Sequence, residues 1–212
     1  MNSTDESAWD IIRTIAAEAG VLIKRDRTAN LTSYYLELLA AHYDDEIVRR
    51  HLRQSLMHEY QRHEDFKAAT EIALMAIADR PFHPMPVLEL VSQKLYAEKD
   101  PAAALSFAIE AVALADSVVE FRRHARAYLL RVASALGDRV LVEKCLVEIM
   151  DLEVAPSEPD VAREAELLVH AKAVGVGLPI LHRYRSFLGP GSLPITSELP
   201  GFRSNGEDDD AG

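Results

Sequence analysis

Two stretches decide the fold of this chain: EDFKAATEIALMAIADRP (residues 64–81) and KDPAAALSFAIEAVALAD (residues 99–116). At an offset of 35 residues they place small side chains opposite one another, at spacings of four and three. Such spacings define one stripe of an α-helix, and small residues on that stripe let two helices approach closely. The matched pairs are Phe66 with Pro101, Ala69 with Ala104, Ala73 with Ala108 and Ala76 with Ala111. The two stretches therefore predict equivalent helices of a repeated helical hairpin.

A second match brings the preceding helices into the repeat. VRRHLRQSL (48–56) and FRRHARAYL (121–129) share R-R-H-x-R and a final leucine at an offset of 73 residues. The same offset relates Ala69 to Val142, so one offset links both helices of a pair. We therefore expect three copies of the hairpin within residues 45–155, the third of them divergent.

Helical periodicity also covers the flanking segments, and no segment alternates with the period of a strand. The chain is therefore predicted to be all-α, with about ten helices joined by short turns. Asp100 before Pro101 is a typical helix start, and Ser117-x-x-Glu120 is predicted to be a capping box. The helices are expected near residues 6–24, 30–43, 45–62, 65–79, 86–98, 101–116, 117–137, 138–153, 157–174 and 179–188.

The repeat pattern resembles the tetratricopeptide repeat family, whose units of about 34 residues are pairs of antiparallel helices. The family usually has glycine or alanine in the first helix, where this chain has Met57 and, in the next copy, Ser92. The resemblance rests on Leu56, Tyr60, Phe66, Ala69, Ala73, Ala76 and Pro81, and then on Val91, Leu95, Ala104, Ala108 and Ala111.

The resemblance implies a right-handed α-solenoid of antiparallel hairpins, and a generic α-helical bundle is the alternative. Residues 1–44 would form an N-terminal helix pair, a cap or a degenerate repeat, and residues 156–188 a C-terminal capping pair. The tenth helix would cap the array or, if exposed, offer an apolar surface for homo-oligomers. The segment 189–212 is rich in Gly, Pro, Ser and acids and is predicted to be a disordered acidic tail.

Composition excludes several classes of function. The formal charge of −11 repels phosphate backbones, so nucleic acid is an unlikely partner. The single cysteine, Cys145, excludes an internal disulfide. The N-terminus is acidic where a signal peptide would be basic, and no apolar run is long enough to span a membrane. We therefore expect a cytoplasmic protein without membrane contact; abundant arginine weakly favours a bacterial source.

The stretch HEYQRHEDF (58–66) approaches the zinc signature H-E-x-x-H but separates His58 from His63 by five residues. Helical residues five apart diverge by about 140°, so these imidazoles cannot share an ion within one helix. Phosphate-binding glycine loops and nucleophile motifs are also missing from the sequence. We therefore predict no metal, no cofactor and no enzymatic activity.

Polar residues recur on the predicted first helix of each repeat. The resemblance implies that these helices line a concave groove, although a solvated helix face would have the same pattern. Arginine forks and histidines there favour an acidic peptide or helix, more strongly below about pH 6.5. The predicted groove residues are His51, Gln54, His58, Gln61 and Arg62, then Glu89, Gln93 and Tyr96, and finally His124 and Arg131.

The groove predicts a protein–protein interaction scaffold or adaptor that binds a partner peptide or helix. One alternative is a regulatory or sensor module of a bacterial signalling or transcription-control system. A more distant alternative is a helical enzyme, which requires a closed pocket with at least two convergent acid–base groups of perturbed pKa.

Overall fold

The computed structural model describes residues 3–26, 28–152 and 158–189, and every regular element in that part of the chain is a helix. The prediction of an all-α chain with ten helices is confirmed there. Apart from Gly189, the predicted disordered tail lies outside the described residues. The helices are α1 (Ser3–Arg25), α2 (Thr32–Ala41), α3 (Glu46–Arg62), α4 (Phe66–Asp79), α5 (Pro84–Ser92), α6 (Pro101–Ala115), α7 (Arg122–Ala135), α8 (Arg139–Met150), α9 (Glu158–Ala173) and α10 (Leu178–Leu188).

Three turns between consecutive helices share one backbone geometry. Each has a residue in the left-handed region followed by an aspartate whose carboxylate accepts a hydrogen bond from the backbone N–H three residues later. The pairs are Glu64–Asp65, Lys99–Asp100 and Gly137–Asp138, with φ of 59°, 55° and 72° at the first residue. The second and third turns lie 35 and 73 residues after the first, and these are the offsets found in the sequence. At each of these three equivalent positions, one helix ends and an aspartate caps the start of the next.

The predicted capping box at Ser117 is wrong. The Ser117 hydroxyl donates to the carbonyl oxygen of Leu114 at 2.8 Å and so closes the end of α6 instead of opening α7. A 3₁₀ turn, Val119–Phe121, follows, and α7 begins without a side-chain cap. A serine between two helices can form a hydrogen bond with the backbone of either helix, and here it bonds to the preceding one.

Packing joins neighbours along the chain. Helix α3 packs on α4, α5 on α6 and α7 on α8, while α5 contacts α7 and α7 contacts α9. The alanine stripe predicted from the sequence lies at these contacts: Ala69, Ala73, Ala104, Ala108 and Ala111 are all buried. Small side chains there permit the close approach of the helices.

The two ends of the array are covered in different ways. Near the N-terminus, α1 and α2 both pack on α3. Near the C-terminus, α10 packs on α8 and α9, and its Leu181, Tyr184 and Leu188 are buried. These three side chains are therefore not exposed for self-association. Among the described residues, no helix has the length and apolar content needed to cross a membrane.

A π-helical turn, Gln93–Ala97, continues α5 and changes its register. The N–H of Asp65 donates to the carbonyl of Tyr60, five residues earlier, whereas that of Asp100 donates to Lys94, six residues earlier. One extra residue therefore lies between α5 and the turn at Asp100, compared with α3 and the turn at Asp65. Before the π turn, α5 corresponds to α3 at an offset of 34 residues, and after it at 35.

Candidate functional site

Two adjoining cavities of about 350 Å³ and 220 Å³ form a groove between α3 and α5 that reaches α7. We call this the central groove. Gln54, Met57, Met85 and Glu89 line both cavities and so make them continuous. The larger cavity also meets α1, α4 and the turn before α5, and the smaller one reaches His124 and Tyr128 of α7. Helices α3, α5 and α7 thus share one groove.

Six of the ten residues predicted to line a groove do line the central groove. They are His51, Gln54, His58, Gln61, Glu89 and His124. In the described part of the chain, no hydrogen bond or ion pair engages the side chains of His51, Gln54 or His58. Partial burial lowers the pKa of His51 and His58 and so favours the neutral form of both imidazoles. Their protonation therefore requires a pH below the 6.5 expected from the sequence.

Gln93 lies inside the array and lines neither cavity. Its side chain is almost fully buried, and its amide donates to the carbonyl of Phe66 at 3.0 Å, to Thr70 Oγ1 at 2.7 Å and to Glu98 Oε1 at 2.8 Å. The extra residue of the π turn explains this position, because α5 has advanced by one residue relative to α3. The groove position expected for Gln93 is taken by Ser92.

Arg62 points away from the central groove, toward the N-terminal helices. Its guanidinium pairs with Glu59 at 2.6 Å and donates to the carbonyl of Ala29. Glu59 is buried and accepts from the N–H of Leu31 at 2.7 Å. Burial raises the pKa of Glu59, but the hydrogen bonds from Arg62, Leu31 and His63 outweigh it, so the pKa lies below its usual value. This network ties the start of α2 to α3.

Tyr96 and Arg131 belong to the next interface along the array. Arg131 pairs with Glu166 of α9 at 3.3 Å, and its guanidinium lies 5.6 Å from the ring centroid of Tyr128. Tyr96 is half-exposed, and burial of its phenol raises its pKa. Neither residue lines the two cavities of the central groove.

Several residues of the larger cavity were not predicted from the sequence. Arg50 lies beside His51 on α3, while Arg80 and His83 come from the turn before α5. Trp9 and Phe121 add aromatic walls. The R-R-H motif did mark Arg50, but nothing in the sequence places the α4–α5 turn opposite it.

Glu89 is the most perturbed acid of the central groove. Burial raises its pKa to about 7, although the positive charges of Arg50 and Arg80 lower it in part. Neither arginine is within ion-pair distance of it, and within the described residues neither guanidinium makes a hydrogen bond or ion pair. Burial and the charge of Arg50 also lower the pKa of Arg80. The cavity thus holds charges that influence one another without contact.

The two histidines of the stretch that approaches H-E-x-x-H, His58 and His63, lie in different surroundings. His58 lines the groove, whereas His63 Nε2 lies 3.1 Å from Glu59 Oε1. The described residues contain no group of three or more His, Cys, Asp or Glu side chains placed to hold a metal ion. Cys145 is buried, and burial raises its pKa to about 12.

Comparison with known proteins assigns no family to the chain. The sequence matches no protein-family model, and neither curated proteins nor solved structures give a match. The function is therefore inferred from the central groove itself.

Proposed function

We propose that the chain is a tetratricopeptide-like, right-handed α-solenoid that acts as a protein–protein interaction module. The central groove would bind an extended segment of a partner protein. The single observation that carries this proposal is the continuity of the groove, which is lined by first helices of three successive hairpins, α3, α5 and α7. Repeat arrays commonly use such concave surfaces for binding.

Two observations support the solenoid arrangement over a generic bundle. The hairpin turns at Glu64, Lys99 and Gly137 repeat one backbone geometry. In addition, α5 contacts α7 and α7 contacts α9, as expected when first helices of successive units lie side by side. In a solenoid, each unit touches its neighbours along the chain.

The lining of the central groove suits a peptide. An extended segment brings backbone N–H and C=O groups that need partners when they leave water. Gln54 offers both a donor and an acceptor, and neutral His51 and His58 offer one of each. Met57 and Met85 supply flexible apolar contacts that adapt to different side chains.

A peptide library displayed on phage and selected against the full chain tests the proposal. Gln54→Trp places a large side chain where the two cavities join, on an exposed helical position. The matched control is Lys67→Trp, an exposed position of α4 that lines neither cavity. We expect the selected peptides to bind the wild type and the control but not Gln54→Trp. Equal binding to all three proteins, or no binder at all, would contradict the proposal.

A second candidate is a regulatory or sensor module that binds a small molecule. The larger cavity, at about 350 Å³, falls within the range of small-molecule sites. In that case organic acids would raise the melting temperature of the wild type but not that of Gln54→Trp, and selection would yield no groove-binding peptide.

A further inference from the structure

Two arginines at the larger cavity differ from their neighbours on the chain. Arg49 and Arg53, on either side of Arg50 on α3, both pair with Asp79. The guanidinium groups of Arg50 and Arg80, in contrast, make no hydrogen bond or ion pair with any residue that the structure describes. Arg50 is exposed and Arg80 is half-buried. The packing of α3 on α4 therefore uses Arg49 and Arg53 and leaves Arg50 available.

The two free guanidiniums are close enough to affect each other. After burial, the charge of Arg50 is the largest cause of the lowered pKa of Arg80. Burial lowers the pKa of His83, and the charges of Arg80 and Arg50 lower it further. Two like charges that line one cavity repel each other, and an anion between them would relieve that repulsion.

Glu89 does not act as the anion that would relieve the repulsion between Arg50 and Arg80. Its carboxyl is beyond ion-pair distance of both arginines, and its pKa of about 7 means that part of the population is uncharged at neutral pH. Glu46 also lines the cavity and raises the pKa of Arg80, but it makes no ion pair with Arg50 or Arg80 either. The two positive charges are therefore compensated incompletely.

The wall beside the arginines is apolar. Trp9, Ile12, Met57, Met85 and Phe121 face the same cavity. A volume of about 350 Å³ accommodates a large apolar side chain and leaves room for a neighbouring carboxylate. Charge and apolar surface are thus adjacent, as an amphipathic ligand requires.

We propose that Arg50 and Arg80 together bind the carboxylate of an aspartate or glutamate in the partner segment, and that an adjacent apolar side chain of that segment fills the larger cavity. This inference rests on the proposed function and specifies the chemistry of its ligand. The guanidinium forks recognise the carboxylate by charge-assisted hydrogen bonds. The apolar walls contribute affinity through burial and favour a large side chain next to the acid.

The test uses peptides selected from the random library by the full chain. Each peptide is resynthesised with its acidic residues changed to the corresponding amides, and binding is measured by fluorescence anisotropy. The protein variants are Arg50→Gln, Arg80→Gln and the double variant. The matched control is Arg139→Gln, an exposed arginine of α8 whose partner is Glu143. Circular dichroism and thermal melting confirm that each variant is folded.

We expect an acid next to an apolar residue in the selected peptides. The double variant should bind them about 10- to 100-fold more weakly, which is the usual effect of losing hydrogen bonds to a charged group. The amide peptides should bind the wild type and the double variant equally. The control should bind like the wild type. Lysine at both positions, which keeps the charge but loses the fork, should restore part of the affinity.

The results separate this inference from the proposed function. Suppose that the peptides do not bind Gln54→Trp but bind the double variant Arg50→Gln/Arg80→Gln as tightly as the wild type. This result would overturn the carboxylate subsite alone. Equal affinity of acidic and amide peptides for the wild type would do the same. Peptides indifferent to Gln54→Trp would overturn the proposed function together with the subsite that depends on it.

Discussion

Replacing Glu89 by glutamine should stabilise the protein at alkaline pH and change it little at acidic pH. Burial gives Glu89 a pKa of about 7 in the folded chain, above its ordinary value of 4.5. The folded state thus holds this proton more tightly than the unfolded state, and the stability of the wild type falls as pH rises through that interval. The full difference corresponds to about 3 kcal/mol, and partial solvent exposure reduces it to about 1–2 kcal/mol. Glutamine stays neutral and avoids this cost.

Urea unfolding followed by circular dichroism, at pH values from about 5 to about 8, measures the effect. The relevant quantity is the difference in unfolding free energy between variant and wild type. Histidines with lowered pKa, such as His51 and His83, also make stability depend on pH, but they cancel in this difference. Glu71→Gln on the exposed side of α4 is the control and should show no pH-dependent difference. A Glu89→Gln effect of equal size at both ends of the range, or a variant less stable than wild type at pH 8, would refute the reasoning.

Three further predictions concern groups outside the central groove. Gln93→Leu should destabilise the protein by about 1–3 kcal/mol in urea unfolding, because the buried amide loses hydrogen bonds to α4, whereas Gln54→Leu at an exposed position should not. Glu59→Gln should speed hydrogen exchange at the Leu31 amide, measured by NMR, since the ionised carboxylate accepts from it at 2.7 Å; an unchanged rate would show that this bond does not hold α2. Burial raises the pKa of Cys145 to about 12, so iodoacetamide should label it only when denaturant unfolds the chain; rapid labelling of the native protein would contradict this.

The helices could be predicted because their signals are local. An aspartate can cap a helix with atoms that lie within three residues of it, as Asp65 and Asp100 do. The alanine stripes could be predicted as well, because their spacing in the sequence follows from helix geometry. Ser117 shows the limit of such signals: its hydroxyl could serve either neighbouring helix, and the choice depends on how the chain turns.

The site could be predicted on α3 and less well on α5. The sequence offset of 35 residues predicted that Gln93 and Tyr96 lie in the groove. Because of the π turn, however, the residues of α5 that precede this turn correspond to residues of α3 at an offset of 34. The π turn occurs together with the hydrogen bonds that the Gln93 side-chain amide donates to α4. Because these are contacts between helices, no local sequence pattern predicts them. Arg80 was not predicted for a similar reason, because it lines the same cavity as Arg50 only once α3 and α4 have packed.

The distribution of charge gives a physical reason to assign function to the central groove. Three arginines with little side-chain exposure have acidic partners: Arg53 with Asp79, Arg126 with Glu148, and Arg131 with Glu166. The larger cavity contains the Arg53–Asp79 pair, but also Arg50 and Arg80, which have no such partner among the described residues, and Glu89, whose ionisation lowers stability. Sequences readily lose such arrangements when nothing depends on them, since one substitution at Glu89 removes the cost. Groups that lower stability of the free protein and converge on one cavity are expected where a ligand supplies the missing contacts. A carboxylate between Arg50 and Arg80 would supply them.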